Sequence, residues 1–225
     1  MDQHFKIWKT ITEQAAEKNA RLIAVSKTKT DQQIMELYQY GQRDFGENKV
    51  QELIEKYDRL PKDIRWHHIG HLQTNKVKYI APFVHLIHAA DSFKVLQEID
   101  KQAKKAARTI PCLLQFKIAQ EESKYGFPLS DAITMLNSEA FHELKNVRID
   151  GVMGMATFTD DPEQIRGEFK TLHGIFTKLK DQFFPDRENF CEISMGMSDD
   201  FPIALEEGST LLRVGSLLFG KRIYL

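Results

Sequence analysis

The sequence predicts an α/β fold of the (β/α)₈ barrel class, in which eight parallel strands alternate with helices and close into a cylinder. The length of 225 residues lies in the range of one such barrel. Short apolar runs typical of buried strands alternate along the chain with segments of helical spacing. Polar residues and glycines follow most of the apolar runs, where a parallel barrel places its ligand-binding loops. A doubly wound open sheet is the alternative that the same alternation allows.

The elements are assigned from the spacing of apolar residues. Phe5, Trp8, Ile11 and Ala15 recur at helical intervals, which predicts an N-terminal helix at about residues 3–19. The predicted strands are Leu22–Ser26, Asp44–Gly46, Trp66–Ile69, Leu86–Ala89, Cys112–Ile118, Val147–Met153, Phe190–Ser194 and Leu211–Val214. The predicted helices between them are Asp31–Tyr40, Lys49–Arg59, Gln73–Ile80, Ser92–Ala107, Leu129–Ala140, Pro162–Phe183 and Ile203–Gly208. Strands separated by helices pair in parallel through right-handed crossovers.

Composition narrows the class of protein. Hydrophobic residues make up 42% and charged residues 28%, and 31 basic and 32 acidic residues give a net charge of −1. This balance gives no electrostatic footprint for nucleic acid. No apolar run reaches membrane-spanning length and the N-terminus has no apolar signal core, so we expect a cytoplasmic protein without membrane contact. Without a linker, residues 1–225 are expected to form one domain, with Cys112 and Cys191 reduced and buried.

One lysine stands at the end of the first predicted strand. The run Leu22–Val25 has no polar alternation, which indicates a strand buried on both faces, and Ser26 and Lys27 follow it directly. Desolvation at such a position lowers the pKa of a lysine and makes its neutral amine a nucleophile toward carbonyl compounds. Lysines at strand ends are also commonly solvated, so this segment alone leaves both interpretations open.

The ends of the last two strands have the composition of a phosphate-binding site. Ser198 follows the seventh strand, and Gly215 and Ser216 follow the eighth. Glycine lets the backbone approach an anion, backbone N–H groups and hydroxyls donate hydrogen bonds to it, and barrels of this class often bind phosphate here. Arg213 interrupts the apolar eighth strand, and a buried arginine requires a partner. Either a carboxylate such as Glu192 or a bound ligand would satisfy it.

Three histidines near the third strand present a competing metal site. His67 and His68 are adjacent, so on a strand they point to opposite faces, and His71 lies past the strand end. We therefore expect His67 and His68 to pack and form hydrogen bonds, and we predict no metal site. Neither a Gly-x-Gly-x-x-Gly segment after the first strand nor a Walker loop is present, which argues against a dinucleotide or nucleoside-triphosphate site.

Seven motifs in this order resemble the pyridoxal phosphate homeostasis protein family. They are Ala24–Lys29, Phe45–Glu52, His68–Lys76, Glu122–Gly126, Gly151–Met153, Ser194–Asp200 and Arg213–Gly220. The resemblance extends from about residue 20 to the C-terminus. It implies a barrel like the N-terminal domain of alanine racemases and a site for pyridoxal 5′-phosphate (PLP).

The resemblance also implies roles for individual residues. The cofactor-binding set would be Lys27, Asn48, Met153, Ser194, Ser198, Arg213, Gly215 and Ser216. Lys27 would hold PLP as an internal aldimine, while Ser198 and the amides of Gly215 and Ser216 would bind its phosphate. Arg213 would approach the pyridine nitrogen and keep it unprotonated, which weakens the ring as an electron sink. The other three would lie along or near the ring.

Two residues depart from the family pattern. Thr30 stands where many members have proline, which is expected to loosen the start of the following helix. Lys117 stands where an asparagine is expected. A second amine near the cofactor could alter the local charge, or the side chain could point elsewhere, so the contact from the fifth strand is in doubt.

Three functions are compatible with these residues. The favoured one is a non-enzymatic PLP carrier or regulator that serves PLP-dependent apo-enzymes and has no catalytic residues. The alternative is a PLP-dependent amino-acid racemase, which needs an acid or base on each face of the ring. In alanine racemases a second domain of the partner subunit supplies a tyrosine for this, and a chain ending at Leu225 is expected to lack that domain and to be a monomer. A Schiff-base aldolase acting on a phosphorylated sugar would use the same lysine without PLP.

Overall fold

The eight strands close into a parallel barrel in the computed structural model, which describes residues 3–120 and 125–220. The strands are β1 Arg21–Val25, β2 Asp44–Glu47, β3 Arg65–His68, β4 Leu86–Ala90, β5 Ile110–Gln115, β6 Val147–Met153, β7 Glu192–Ser194 and β8 Leu211–Val214. Each strand pairs with its neighbours in chain order, and β8 pairs with β1. The barrel prediction is confirmed, and the open-sheet alternative is wrong.

Helices connect the strands and surround them. They are α1 Gln3–Glu17, α2 Asp31–Gln39, α3 Val50–Arg59, α4 Val77–Ile80, α5 Phe93–Lys105, α6 Leu129–Leu136, α7 Glu139–His142, α8 Pro162–Phe183, α9 Phe201–Glu206 and α10 Ser216–Phe219. The helix predicted over 129–140 is two helices, because Asn137 ends α6 and the Ser138 side chain caps α7 by accepting from Phe141 N. The short helix α10 was not predicted. No helix among the described residues combines the length and apolar character needed to cross a bilayer.

Three sequence predictions need correction. Cys191 is exposed rather than buried, because β7 begins only at Glu192. Cys112 is buried, as predicted. β5 ends at Gln115 rather than Ile118, since Phe116 forms an isolated bridge with Phe127. Lys117 therefore lies beyond the strand, on the exposed surface.

The third correction concerns the start of α2. The Thr30 side chain accepts from Gln33 N, and the Gln33 side chain accepts from Thr30 N, which is a complete capping box. Thr30 therefore stabilises this helix start instead of loosening it. Residues 122–124 of the family motif Glu122–Gly126 lie outside the described residues.

The core has two layers, as expected for a barrel whose strands are covered by helices. Inward-facing side chains fill the cylinder, and they include Ile23, Leu113 and Met153. A larger apolar cluster lies between the strands and the helices. Parallel strands buried on both faces explain the unbroken apolar runs of the sequence. This arrangement places the loops that follow every strand at one end of the barrel.

Candidate functional site

A cavity of about 290 Å³ lies at the carboxyl ends of the strands. Six of the eight predicted site residues line it: Lys27, Asn48, Ser198, Arg213, Gly215 and Ser216. Apolar side chains, among them Ile69 and Met155, complete the wall. Phe158 on the rim is 87% exposed, so the cavity opens to solvent. Residues far apart in the sequence thus meet where a parallel barrel commonly binds its ligand.

Lys27 projects from a strained turn at the end of β1. The lysine is half-buried, Ser26 before it is fully buried, and Thr28 after it has φ of 65°. A β-branched residue seldom adopts this left-handed conformation, and it persists only where surrounding contacts hold it. One such contact is the hydrogen bond from Thr28 N to Glu52 Oε1, at 2.6 Å.

A buried cluster of charged groups lies behind this turn. Lys56 Nζ donates to Glu47 Oε1, to Glu52 Oε1 and to the backbone oxygen of Ser26, each at 2.7 Å. Ser26 Oγ donates to the same Glu47 oxygen at 2.6 Å. Burial raises the pKa of the Glu47 carboxyl, while Lys56 and Ser26 oppose that change. The cluster ties β1, β2 and α3 together at the base of Lys27.

Sequence reasoning gave no role to Glu47 or Lys56. Glu47 was visible only as part of a family motif, and Lys56 reads as an ordinary polar position of an amphipathic helix. In the structure Glu47 is 0% and Lys56 2% exposed, which is uncommon for charged side chains and requires that they be paired.

The turn after β8 forms part of the cavity wall. Gly215 N donates to Ser198 Oγ at 3.3 Å, so the loops after β7 and β8 are held together. A Cβ on Gly215 would lie 3.1 Å from the backbone oxygen of Val25, which is tighter than almost all real contacts. Glycine therefore lets this turn lie directly against the end of β1. Ser198 and Ser216 line the same cavity as Lys27.

Arg213 enters the cavity from inside the barrel. Arg213 is only 4% exposed, and its guanidinium donates to Ser194 Oγ at 2.6 Å and to Gly154 O at 3.0 Å. Burial lowers the pKa of Arg213 to about 10, and the nearby Asp200 opposes this effect. The side chain is therefore still a cation at neutral pH.

The carboxylate proposed as a partner for Arg213 is bound elsewhere. Glu192 pairs with Arg21 and accepts a hydrogen bond from Thr210 Oγ1 at 2.6 Å. This position follows from the strand, because Glu192 begins β7 whereas Arg213 lies near the carboxyl end of β8. The Glu192 interpretation is wrong, and Arg213 instead contributes to the wall of the cavity.

Two predicted residues lie below the cavity rather than on its wall. Met153 and Ser194 are both 0% exposed. Met153 packs among the inward-facing side chains of the barrel, and Ser194 contacts Arg213. Met155, two residues after Met153, reaches the wall. Contacts of Met153 and Ser194 with a cofactor stay predictions.

Adjacent histidines on β3 occupy different environments, as predicted. His67 Nδ1 lies 2.9 Å from His88 Nε2, and His67 Nε2 lies 3.0 Å from Asp44 Oδ1. His68 is equally buried, but neither of its ring nitrogens has a hydrogen-bond partner among the described residues, so the prediction that His68 forms hydrogen bonds is wrong. Burial lowers the pKa of His68 to about 4.

Within residues 3–120 and 125–220, one group brings three possible metal ligands together. Ligand atoms of Asp44, His67 and His85 lie within 4.8 Å of one another. Arg65 already donates to both carboxylate oxygens of Asp44, at 2.7 and 2.5 Å, and adds positive charge where a cation would bind. The predicted lack of a metal site stays a prediction.

An aromatic pair lies beyond the end of β3. The rings of His71 and Tyr125 stack with their centroids 4.1 Å apart and an angle of 15° between their planes. His71 Nδ1 also lies 2.7 Å from Asp91 Oδ2, which fixes the orientation of the imidazole. Tyr125 is 57% exposed, so this pair belongs to the surface at the carboxyl ends of the strands.

Comparison with known proteins identifies similar sequences over nearly the whole chain. The family described as the alanine racemase N-terminal domain matches residues 6–222. A curated relative from Aquifex aeolicus (strain VF5), named pyridoxal phosphate homeostasis protein, is 38% identical over 206 residues, which cover 91% of this chain and 88% of the relative.

Solved structures share the fold. PipY of Synechococcus elongatus PCC7942, solved with PLP bound, has a TM-score of 0.87 and 33% identity, covering 97% of this chain and 100% of its own. Alanine racemase from Bartonella henselae has a TM-score of 0.70 at 15% identity, covering 98% of this chain and 60% of the racemase. The second likeness is one of fold alone.

Proposed function

This chain belongs to the alanine racemase N-terminal domain family and, within it, to the pyridoxal phosphate homeostasis proteins, and from this membership we propose that it binds PLP as a carrier or regulator of the cellular PLP pool. One observation carries the proposal. The same cavity is lined by Lys27, by Ser198, Gly215 and Ser216 from the loops after β7 and β8, and by the buried cation Arg213. These are the groups needed to hold an aldehyde, a phosphate and a pyridine ring.

The chemistry of the donor set fits PLP. When bound, PLP supplies an aldehyde that condenses with a primary amine and releases water. The cavity offers cationic side chains at Lys27, Lys29 and Arg213 against one carboxylate at Asp199, a balance that suits a dianionic phosphate. A side chain at position 215 would crowd the backbone oxygen of Val25, which a Cβ would approach to 3.1 Å. The backbone can therefore reach an anion beside Lys27.

Each residue is proposed to perform one task. Lys27 holds the cofactor covalently through Nζ. Ser198 and the backbone amides of Gly215 and Ser216 donate hydrogen bonds to the phosphate. Arg213 would donate to the ring nitrogen, and because a guanidinium only donates hydrogen bonds, that nitrogen must accept with its lone pair and stay unprotonated.

Openness of the site supports a carrier rather than an enzyme. Phe158 and Met197 on the cavity rim are 87% and 36% exposed, so water reaches the cavity. Controlled carbanion chemistry needs an acid or base on each face of the ring and exclusion of water. Likeness to a racemase at 15% identity concerns the fold and does not support racemisation.

Met153, Ser194 and Asn48 are proposed to support or line the ring.

The remaining parts of the proposal concern the cellular setting. We expect residues 1–225 to act as one domain, as a monomer in the cytoplasm. The free thiols of Cys112 and Cys191 are compatible with a reducing compartment. PLP-dependent apo-enzymes are the proposed recipients of the cofactor.

An absorbance titration tests the binding site. PLP added to the purified protein should produce the visible band of lysine-bound PLP, and Lys27→Ala should abolish it. Lys29→Ala is the matched control, because Lys29 lines the same cavity two residues away but bonds the backbone oxygens of Phe219 and Gly220. A band that survives Lys27→Ala, or that only Lys29→Ala removes, would contradict the assignment.

A second measurement separates the carrier from the racemase. PLP-loaded protein is incubated with L-alanine, and the D-enantiomer is followed by chiral chromatography. The carrier proposal predicts no turnover above that of free PLP. Turnover at ordinary enzyme rates, of roughly 1 per second or more, would refute it.

A further inference from the structure

A chain of hydrogen bonds runs through the inside of the barrel and ends at Arg213. Arg213 donates to Ser194 Oγ at 2.6 Å, which lies 2.8 Å from His88 Nδ1. His88 Nε2 lies 2.9 Å from His67 Nδ1, and His67 Nε2 lies 3.0 Å from Asp44 Oδ1. None of the five residues is more than 5% exposed. Five strands contribute one residue each, from the start of β2 to the carboxyl ends of β7 and β8.

The direction of every bond follows from the two ends. A guanidinium only donates and an ionised carboxylate only accepts. At the carboxylate end, His67 Nε2 donates to Asp44 Oδ1. Burial keeps the rings of His67 and His88 neutral, so each ring carries one proton. His67 Nδ1 therefore accepts from His88 Nε2, and His88 Nδ1 accepts from Ser194 Oγ, whose lone pairs face Arg213.

The surroundings agree with these assignments. Burial opposes ionisation of Asp44, yet hydrogen bonds from Arg65 and His67 hold the pKa of Asp44 well below its usual range. Burial lowers the pKa of both His67 and His88 and is the largest influence on each. Asp44 opposes this change at His67, whereas Arg21 and Arg65 support it. Arg213 and Arg21 support it at His88. The side chain of Arg65 is 45% exposed, so the chain begins at the solvent-facing amino end of the barrel.

We propose that Ser194, His88 and His67 are positioning residues that hold the guanidinium of Arg213 in one orientation, through a one-directional chain anchored on Asp44. Arg213 has five N–H donors, and Ser194 and Gly154 accept from two different nitrogens. The chain fixes the plane of the guanidinium, so its remaining donors keep a constant direction at the cavity. This inference rests on the proposed function where it concerns the pyridine nitrogen of PLP.

The first test needs no cofactor. Two-bond ¹H–¹⁵N spectra of uniformly labelled, PLP-free protein report which imidazole nitrogen carries the proton, and His67→Gln and His88→Gln assign the signals. The expected result is a neutral ring protonated on Nε2 at both positions, unchanged between pH 8 and pH 6. A ring protonated on Nδ1, or a ring that titrates in this range, would overturn the chain.

The second test measures its consequence. His88→Phe should weaken PLP binding by about tenfold or more and shift the visible band of the bound cofactor. His68→Phe is the matched control, since His68 is equally buried but lies outside the chain, and it should keep the wild-type band and stay within about threefold in affinity. Equal effects of the two variants would overturn the positioning role.

A smaller change decides the matter if His88→Phe does not fold. Ser194→Ala removes only the hydroxyl that links Arg213 to His88, and Ser209→Ala removes a buried hydroxyl that bonds Met195 O at 2.7 Å. Only the first should shift the band and weaken PLP binding, by about fivefold or more. Wild-type protein that binds no PLP would refute the proposed function, while the imidazole spectra would still decide the chain.

Discussion

Lys27 and Arg213 supply two cations to one cavity from neighbouring strands, yet they are held in different ways. Ile23 of β1 is paired with Arg213 of β8, and Lys27 follows four residues after Ile23. Lys27 follows its strand, on a turn that includes the left-handed Thr28. Arg213 lies within its strand and is 4% exposed. An amine that forms and breaks a bond to a ligand must be accessible to that ligand, whereas a guanidinium that orients a ring must stay fixed.

The supports behind these two cations differ in charge. Behind Lys27, Lys56 bridges the carboxylates of Glu47 and Glu52. Behind Arg213, the neutral side chains of Ser194, His88 and His67 form a line of hydrogen bonds that ends at the carboxylate of Asp44. Charged clusters resist rearrangement strongly because an unpaired buried charge is costly. The difference indicates that ion pairs stabilise the turn that carries Lys27. The orientation of Arg213 is instead fixed by a series of hydrogen bonds that all run in one direction.

The largest effect is expected from breaking the ion cluster. Lys56→Met leaves Glu47 buried without its cation and should lower the free energy of unfolding by about 3–5 kcal/mol. Urea denaturation measures it. Lys101→Met is the control, because Lys101 is 61% exposed in its pair with Glu98 and should change stability by no more than about 0.5 kcal/mol. Equal losses in the two variants would mean that the cluster does not stabilise the turn.

His68, which is buried but lies outside the chain of hydrogen bonds, is expected to make stability depend on pH. The pKa of His68 is lowered to about 4 in the folded protein, against about 6.5 when unfolded. Its contribution to stability is therefore complete above pH 6.5 and is lost as pH falls toward 4, by about 2 kcal/mol between pH 7 and pH 5. His68→Phe should remove this part of the slope of unfolding free energy against pH. An unchanged slope would show that His68 is not buried as a neutral ring.

The phosphate side of the cavity is tested by removing one hydroxyl. Ser198→Ala should weaken PLP binding by about tenfold or more, since hydrogen bonds to charged groups contribute about 1.5–3 kcal/mol. Fluorescence titration with PLP measures the dissociation constant. Ser130→Ala, an exposed hydroxyl on α6 that bonds Asp131, provides the comparison and should leave affinity unchanged. Full affinity in Ser198→Ala would place the phosphate elsewhere.

The smallest effect is expected at the strained turn. Thr28→Asn replaces a β-branched residue at φ of 65° by one that tolerates this conformation, as Asn19 does at φ of 56°. The free energy of unfolding should rise by about 1 kcal/mol. Thermal denaturation measures the change. Thr171→Asn, at an exposed helical position, controls for the change of side chain. A loss of stability would mean that Thr28 makes a contact that outweighs its strain.

The barrel and most of the cavity were predictable because their signals are local. Uninterrupted apolar runs identified the strands, and the polar residues after them identified Lys27, Ser198, Gly215 and Ser216. Boundaries that depend on caps were missed. Pro202 stands in the first turn of α9, which begins at Phe201 rather than Ile203.

The chain of hydrogen bonds could not be predicted because its links connect residues that are far apart in the sequence. His88 lies alone in the apolar run of β4, and its partners His67 and Ser194 are 21 and 106 residues away. The available signal was the one that singled out Arg213, a polar residue inside an apolar strand. His88 carries the same signal, but only the register and closure of the barrel show that Asp44, His67 and Ser194 meet it.

The central claim is that Lys27 holds PLP by a reversible covalent bond. Borohydride reduction of the PLP-loaded protein, followed by peptide mass mapping, tests it most directly, with a parallel sample dialysed before reduction. We predict that the reduced sample carries the cofactor on Lys27 alone and that prolonged dialysis before reduction removes it. Modification of Lys29 or of another lysine in place of Lys27, or none at all, would contradict the claim.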